Sequence, residues 1–288
     1  MIKKGILLAA GSGTRLAPLT KFTNKHFLNL YDKPVIFYSL ATLMLAGIKD
    51  ILIVTNNKDL ETLQEFFGDG NKLGISISYG VQKMNTGIPT AIKVGETFIG
   101  KSPVCIILGD NFFYGAGLQQ KLINFCKLKS GLKIILYPVV NPKEYGIANI
   151  NTKNKITSIQ EKAKKPKSNL AITGLYFFDN DLISFTKNLK KSKRKEFEIT
   201  DILNQYLKNK KLSYELLGRG STWFDVGTTE ALSDAAEFIN VTQHRNGYKI
   251  ACLEEIAYQK GWINKSQLYN FVNVYQNSSY SKYIKKIK

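Results

Sequence analysis

"KKGILLAAGSGTRLAPLT" runs from Lys3 to Thr20, and its first half sets the fold. Gly5–Ala10 is a short apolar run without alternation, which predicts a strand buried on both faces of a parallel sheet. It ends in Gly11-Ser12-Gly13, a turn with almost no side-chain bulk. Backbone N–H groups can approach an anion at such a turn, and a helix start after it would add its dipole. The same grammar repeats outward. Ile51–Thr55, Ile75–Val81, Val104–Leu108, Lys133–Val140 and Ala171–Phe178 read as further strands. Between the first four lie "KPVIFYSLATLMLAGI" (33–48), "KDLETLQEFFGDG" (58–70) and "TAIKVGETFIG" (90–100), each with helix-compatible spacing and a glycine stop. "YGIANINTKNKITSIQEK" (145–162) alternates around a polar turn and reads as a hairpin. A helix follows at about 198–209, then the strand "SYELLG" (213–218), the stretch "TWFDVGT" (222–228) and a helix from about Thr228. The predicted fold is α/β. It has a mostly parallel, Rossmann-like central sheet with helices on both faces, a small β-hairpin subdomain and a helical C-terminal extension. The expected division is an α/β domain over 1–240 and the extension over 241–288.

Composition narrows the function classes. The 288 residues can bury a large core, and 44% hydrophobic content is ordinary for a globular chain. No run of eighteen apolar residues marks a membrane span, and the six-residue apolar start followed by a glycine turn fits a strand better than a secretory leader. Cys105, Cys126 and Cys252 have neither metal nor disulfide spacing, so the expected compartment is cytoplasmic. The net charge of +19 points to anionic partners, or to a lysine-rich composition spread over a solvated surface. The clusters "KKPK" (164–167), "KKSKRK" (190–195) and "KNKK" (208–211) read as surface loops and helix ends. None is interleaved with stacking aromatics, so nucleic acid is not the expected partner.

In an open parallel sheet, ligands sit at the carboxyl ends of the strands. The residues to inspect are therefore Gly11–Arg15, Gln82–Gly87, Gly109–Asn111, Tyr145–Gly146 and Asp225. The glycine turn is no P-loop, since Gly-Lys-Ser/Thr is absent. Nor is it a dinucleotide fingerprint. Leu16 stands where a third glycine is needed, and the second strand ends in Thr55-Asn56 without an acidic residue. Arg15 inside the turn offers a planar fork of donors suited to a polyphosphate, or is a surface arginine. Asp110 ends an apolar run at a strand tip. A carboxylate there suits Mg²⁺, which takes one or two carboxylates plus phosphate oxygens, or else caps the next turn. Asp225 offers a second carboxylate from another loop, or an N-cap. Lys162, read alone, is a solvated lysine. His26 and His244 have no partner motif that would make either a catalytic base, and no nucleophilic elbow is present.

"GILLAAGSGTRLAPLT", Lys25, "YDKPVIFYSLATLMLAGIKDILIVT", "LGDNFF", "EYGIA", "QEK", "AITGLYFFD", "EFEITDILNQYL" and "ELLGRGSTWFDVGT" together resemble the sugar-1-phosphate nucleotidylyltransferases. The likeness spans essentially the whole chain, and "ELLGRGSTWFDVGT" with "KIACLEEIA" resembles the thymidylyl branch in particular. The resemblance implies a reaction of dTTP with glucose 1-phosphate to give dTDP-glucose and pyrophosphate, feeding dTDP-rhamnose or a related deoxysugar. It implies in-line attack with no covalent intermediate. It implies catalytic roles for Arg15, Lys25, Lys162, Asp110 and Asp225, with Mg²⁺ on Asp110 and Asp225. Leu8, Ala10, Gly11, Gly13, Thr14, Arg15, His26, Gln82, Gly87 and Asp110 would contact the nucleotide. Tyr145, Gly146, Glu161, Lys162 and Ile172 would line the sugar-phosphate side. The C-terminal extension resembles a part that builds a homotetramer and a second, regulatory nucleotide site. Departures cluster where substrates are recognised. His26 stands where the family usually has glutamine, Ala163 where it has proline, and "QKMNTGIPTA" (82–91) replaces the usual base loop. Another pyrimidine nucleotide or hexose 1-phosphate is the alternative reading. A non-catalytic sugar-nucleotide sensor is a more distant one, because the cations and carboxylates are all retained.

Overall fold

The computed structural model describes residues 1–83, 86–187 and 189–288. Met84 and Asn85, inside the unusual base loop, lie outside the described residues. The chain opens with β1 (Lys4–Leu8), then an irregular passage holding the short strands β2 (Asn29–Leu30) and β3 (Lys33–Pro34). Next come α1 (Val35–Leu45), β4 (Asp50–Thr55), α2 (Leu60–Phe67), β5 (Ser76–Val81), α3 (Ile88–Val94), α4 (Glu96–Ile99) and β6 (Val104–Leu108). After these the chain forms β7 (Asn111–Gly115), α5 (Leu118–Phe125), β8 (Leu132–Pro138), β9 (Gly146–Ile150), β10 (Ile156–Glu161), β11 (Leu170–Phe178) and α6 (Leu182–Thr186). It closes with α7 (Ile199–Lys208), β12 (Leu212–Leu216), β13 (Ser221–Asp225), α8 (Thr229–Asn246), α9 (Leu253–Gln259), α10 (Lys265–Val274) and α11 (Ser279–Ile284).

A nine-stranded mixed sheet organises the molecule. Its parallel part runs β6-β1-β4-β5. β11 is antiparallel to β6 and β8, and β12 runs parallel to β8. The expected hairpin is β9–β10, which joins the same sheet through β9 and β11. Side chains alternate across the parallel strands. Leu7, Ile51, Ile53, Cys105 and Ile107 pack on one face, against α1, α5 and the extension. Ile6, Leu8, Leu52, Val54, Val104 and Ile106 pack on the other, against α3, α4, α6 and α7. Burial on both faces is why these strands read as unbroken apolar runs. Ten of the eleven residues of α1 are buried. A helix apolar all round needs cover on every side, and α9 supplies it opposite the sheet.

Register places the site. Leu8 pairs with Val54 and Leu108, and Val54 with Gly80, so these four strands end at one level. Two features differ from the sequence reading. The glycine turn leads into a three-residue 3-10 turn, Thr14–Leu16, and no α-helix begins before Val35. No helix dipole therefore reinforces the turn. The second feature is β7, which the sequence reading passed over. It pairs antiparallel with β13, and Asn111 faces Asp225. α8 runs unbroken across the expected division at 240/241. The extension is pinned at Glu254, 1% exposed, which accepts hydrogen bonds from Tyr275 and Tyr280 at 2.9 and 2.6 Å.

Candidate active site

At the level carboxyl ends of the strands lies a cleft of about 400 Å³. Every site residue expected above lines it: Leu8, Ala10, Gly11, Gly13, Thr14, Arg15, Lys25, His26, Gln82, Gly87, Asp110, Tyr145, Gly146, Glu161, Lys162, Ile172 and Asp225. His244 lies elsewhere, on α8.

The glycine turn has a packing reason. A Cβ on Gly11 would come 3.0 Å from Lys25 Cε, and one on Gly13 would come 2.9 Å from Lys25 Cβ. Gly13 also has φ 62°, the left-handed region that favours glycine. The turn thus wraps the stem of Lys25 and aims its ammonium at Asp110 Oδ2. Asp110 Oδ1 accepts from Asn111 Nδ2 at 3.0 Å. Burial raises the Asp110 pKa, but the Lys25 charge and these hydrogen bonds outweigh it and hold the carboxyl well below its usual range. Asp225 stands in contrast. Burial first and the Asp110 charge second push its pKa up to about 7, against the opposing pull of Lys25, Arg15 and Lys162. The β7–β13 ribbon causes this proximity, and Val226 N–H donates to the Asp110 carbonyl at 2.9 Å. Gly227 leaves room for Arg15: a Cβ there would lie 2.6 Å from Nη2. Arg15 Nη1 also sits 3.8 Å from Glu144.

His26 is 1% exposed. Asn24 donates through Nδ2 to Asp59, so its Oδ1 accepts the His26 backbone N–H at 3.0 Å and faces Nδ1 at 2.7 Å. The proton therefore sits on Nδ1, and Nε2 is an acceptor. Burial, then Lys25, lowers the pKa from 6.5 to about 3. A depressed pKa contributes stability above 6.5 that is lost progressively as pH falls towards 3. Between pH 7 and pH 5 this one group costs about 2 kcal/mol. Urea unfolding at both pH values should show that loss in the wild type and a smaller one in His26→Gln. Equal losses would sink this reading.

On the other side of the cleft, Lys162 adopts φ 43°, a strained conformation for a lysine, and its N–H donates to the Tyr145 carbonyl at 3.0 Å. Gly146 makes room, since a Cβ would lie 3.3 Å from Glu161 Oε2 and 3.2 Å from Thr200 Cγ2. Burial and the neighbouring Glu198 raise the Glu161 pKa. The structure adds residues that sequence reasoning missed. Arg194, read as surface within "KKSKRK", lines the cleft. It sits 3.7 Å from Glu161, 3.2 Å from Glu196 and 3.6 Å from Glu198. Asn111, already marked for inspection at the strand tip, proves to be a hub: its Oδ1 accepts from Trp223 Nε1 at 2.6 Å and from Gly174 N–H at 2.9 Å. Phe197 N–H donates to the Thr86 carbonyl at 2.8 Å, and Gly87 packs on the Phe197 carbonyl so closely that a Cβ would sit 2.1 Å away. The base loop and the glutamate-bearing segment are therefore joined. A lysine-rich string gave no signal that one of its cations turns inward.

Among the described residues no cluster of three or more His, Cys, Asp or Glu side chains is arranged to hold a metal. Two carboxylates do fit Mg²⁺, which takes most of its remaining ligands from phosphates and water. Asp225 supports the fit, because burial first and the Asp110 charge second push its pKa up, and a cation between the two carboxylates would offset both.

Fold and cleft define a nucleotidyltransferase. The family model for nucleotidyl transferases matches residues 4–242. Glucose-1-phosphate thymidylyltransferase of Neisseria meningitidis serogroup A is 44% identical over 281 residues, covering 98% of both chains. The enzyme of that name from Mycobacterium tuberculosis H37Rv is 43% identical over 98% of this chain and 97% of its own. A crystallised Bacillus anthracis protein assigned as a glucose-1-phosphate thymidylyltransferase superposes with a TM-score of 0.75 at 40% identity, over 82% of this chain and 94% of that one. A UDP-glucose pyrophosphorylase bound to UDP-glucose gives 0.74 at 28% identity, over 84% and 100%. The chain belongs to the glucose-1-phosphate thymidylyltransferase family.

Proposed function

We infer that the protein transfers the thymidylyl group of dTTP to glucose 1-phosphate, releasing pyrophosphate and dTDP-glucose for dTDP-rhamnose or related deoxysugar synthesis. The observation that carries the reading is the cleft itself, which gathers Arg15, Lys25 and Lys162 around Asp110 and Asp225. An oxygen of the sugar phosphate attacks the α-phosphorus of dTTP as the bond to the β-phosphate oxygen breaks. The nucleophile is already an anion, so no residue has to remove a proton. The protein's work is positioning and charge neutralisation. Arg15 neutralises the departing pyrophosphate. Lys25 exchanges its bond to Asp110 for one to a nucleotide phosphate, and Lys162 orients the sugar phosphate. Gln82 and Gly87 read the pyrimidine edge, and Glu161 takes sugar hydroxyls. Asp110 and Asp225 would hold Mg²⁺, which when bound supplies charge neutralisation at the reacting phosphates.

A second cavity of about 360 Å³ opens between α1, the turn after β7 and α9, lined by Leu45, Tyr114, Lys249 and Glu255 among others. It supports a regulatory nucleotide site on the extension. Exposed Val241, Tyr248 and Val274 support burial of that region in a homotetramer. No helix of the described chain is long and apolar enough to cross a membrane. Three free, buried thiols fit a reducing, cytoplasmic setting.

Pyrophosphate release across a panel of nucleoside triphosphates and hexose 1-phosphates tests the assignment. The expected result is the highest kcat/KM for dTTP with glucose 1-phosphate. UTP outrunning dTTP would replace the thymidylyl assignment with a uridylyl one.

A further inference from the structure

Two segments that each send a cation into the cleft lining are almost entirely cationic. Residues 162–167 read "KAKKPK" and residues 190–195 read "KKSKRK", so nine of the twelve are Lys or Arg and none is acidic. All nine are exposed. The fold brings the two segments together at one rim. Lys162 and Arg194 line the cleft, and Arg194 Nη1 lies 3.7 Å from Glu161, the residue before Lys162. Among the described residues only Arg194 of the nine has a carboxylate within 4 Å.

Behind this rim the cleft wall is acidic. Glu161, Glu196 and Glu198 all face it, with one guanidinium between them. Carboxylates suit the hydroxyls of a sugar, but they repel its phosphate. A dianion approaching this wall meets an unfavourable local field unless positive charge lies further out. Unpaired lysines at a concave mouth provide such a field, and low-dielectric walls focus it.

We propose that the rim formed by 162–167 and 190–195 is an electrostatic funnel that concentrates the anionic sugar phosphate at the cleft mouth and offsets the repulsion of the glutamates inside. The inference rests on the reading that a sugar phosphate enters here. Its consequence is long-ranged: apart from Lys162 and Arg194, which line the cleft, the rim raises capture without touching the substrate. Salt should erase it, because the Debye length falls from about 30 Å at 0.01 M to under 8 Å above 0.15 M.

The test uses the full chain carrying K164Q/K165Q/K167Q/K190Q/K193Q, five exposed lysines outside the cleft lining. The kcat/KM for glucose 1-phosphate is measured at saturating dTTP from about 0.01 to 0.3 M salt. The wild type should lose about tenfold across that range, the low end of electrostatic steering. The variant should start about tenfold lower, stay nearly flat and meet the wild type at high salt, with kcat unchanged. A second variant, K282Q/K285Q/K286Q/K288Q, removes charge from the C-terminal end and should keep the wild-type slope. Parallel salt curves for the rim variant overturn the proposal. Equal flattening in the C-terminal variant overturns it too, because net charge would then be the cause. Absence of wild-type turnover with this substrate pair at every salt concentration would instead remove the functional reading beneath it.

Discussion

Asp225→Asn lowers kcat/KM by about a hundredfold or more, and at the same time raises the melting temperature at pH 8. The two effects share one cause. Asp225 is held near Asp110 in a recess that disfavours its charge, and its pKa rises from 3.8 to about 7. A pKa raised on folding contributes stability that is full below 3.8 and lost as pH rises through 7. At pH 8 the ionised carboxylate is therefore a burden of about 2–4 kcal/mol. Asparagine keeps the shape and drops the charge, so the gain should be roughly 3–7 °C for a chain of this size. Near pH 4 the two proteins should converge. On the proposed role of Asp225, activity falls because the recess would no longer supply a second carboxylate for Mg²⁺. Calorimetry at pH 8 and pH 4, paired with pyrophosphate release, reads both. A variant with unchanged turnover would remove Asp225 from the site, and one destabilised at pH 8 would refute the raised pKa.

Lys25→Met has the opposite stability sign. Lys25 and Asp110 form a pair whose side chains are 15% and 8% exposed. Deleting the cation leaves a buried carboxylate without its counter-charge, which costs about 3–5 kcal/mol. Asp110 is held below its usual pKa, and that contribution exists above the unfolded value and vanishes as pH falls through the folded one. The destabilisation should therefore be large at pH 8 and shrink towards pH 3. Turnover should fall by about a hundredfold or more as well, because Lys25 is the cation ion-paired with Asp110 in the cleft. Adding Asp110→Asn to Lys25→Met separates the two losses. The double variant should recover most of the stability and none of the activity. A double-mutant cycle with no coupling energy would show that the pair does not act as a unit.

The two predictions turn on residues whose legibility differed. Asp110 could be found in the sequence, because an apolar run ending in Gly109-Asp110 places a carboxylate at a strand tip. Asp225 was legible as a second carboxylate from another loop to set beside Asp110, but the contact that brings the two together was not. The β7–β13 pairing that sets it beside Asp110 joins segments about a hundred residues apart. No local pattern encodes such a pairing. Arg194 was hidden for another reason. Five of six residues in its string carry the same charge. Glu196 and Glu198 follow it closely in sequence, but Glu161, which turns Arg194 toward the cleft, comes from a distant strand.

The sequence by itself determined the alternation of strand and helix, the parallel part of the sheet and the ends of the strands where chemistry gathers. Those features follow from periodicity and glycine punctuation, which are local. Arg15, Asp110 and Asp225 were marked by their places at the strand ends, and the resemblance to a family added roles for them and for Lys25 and Lys162. Only the tertiary structure decided why Gly11 and Gly13 are glycines: they pack against the stem of Lys25, fourteen and twelve residues on. Only it decided that His26 is a neutral acceptor, because its tautomer depends on Asn24, whose own orientation depends on Asp59. Only it separated Asp110 from Asp225 in acidity. Burial and neighbouring charge set a pKa, and both are properties of the folded chain.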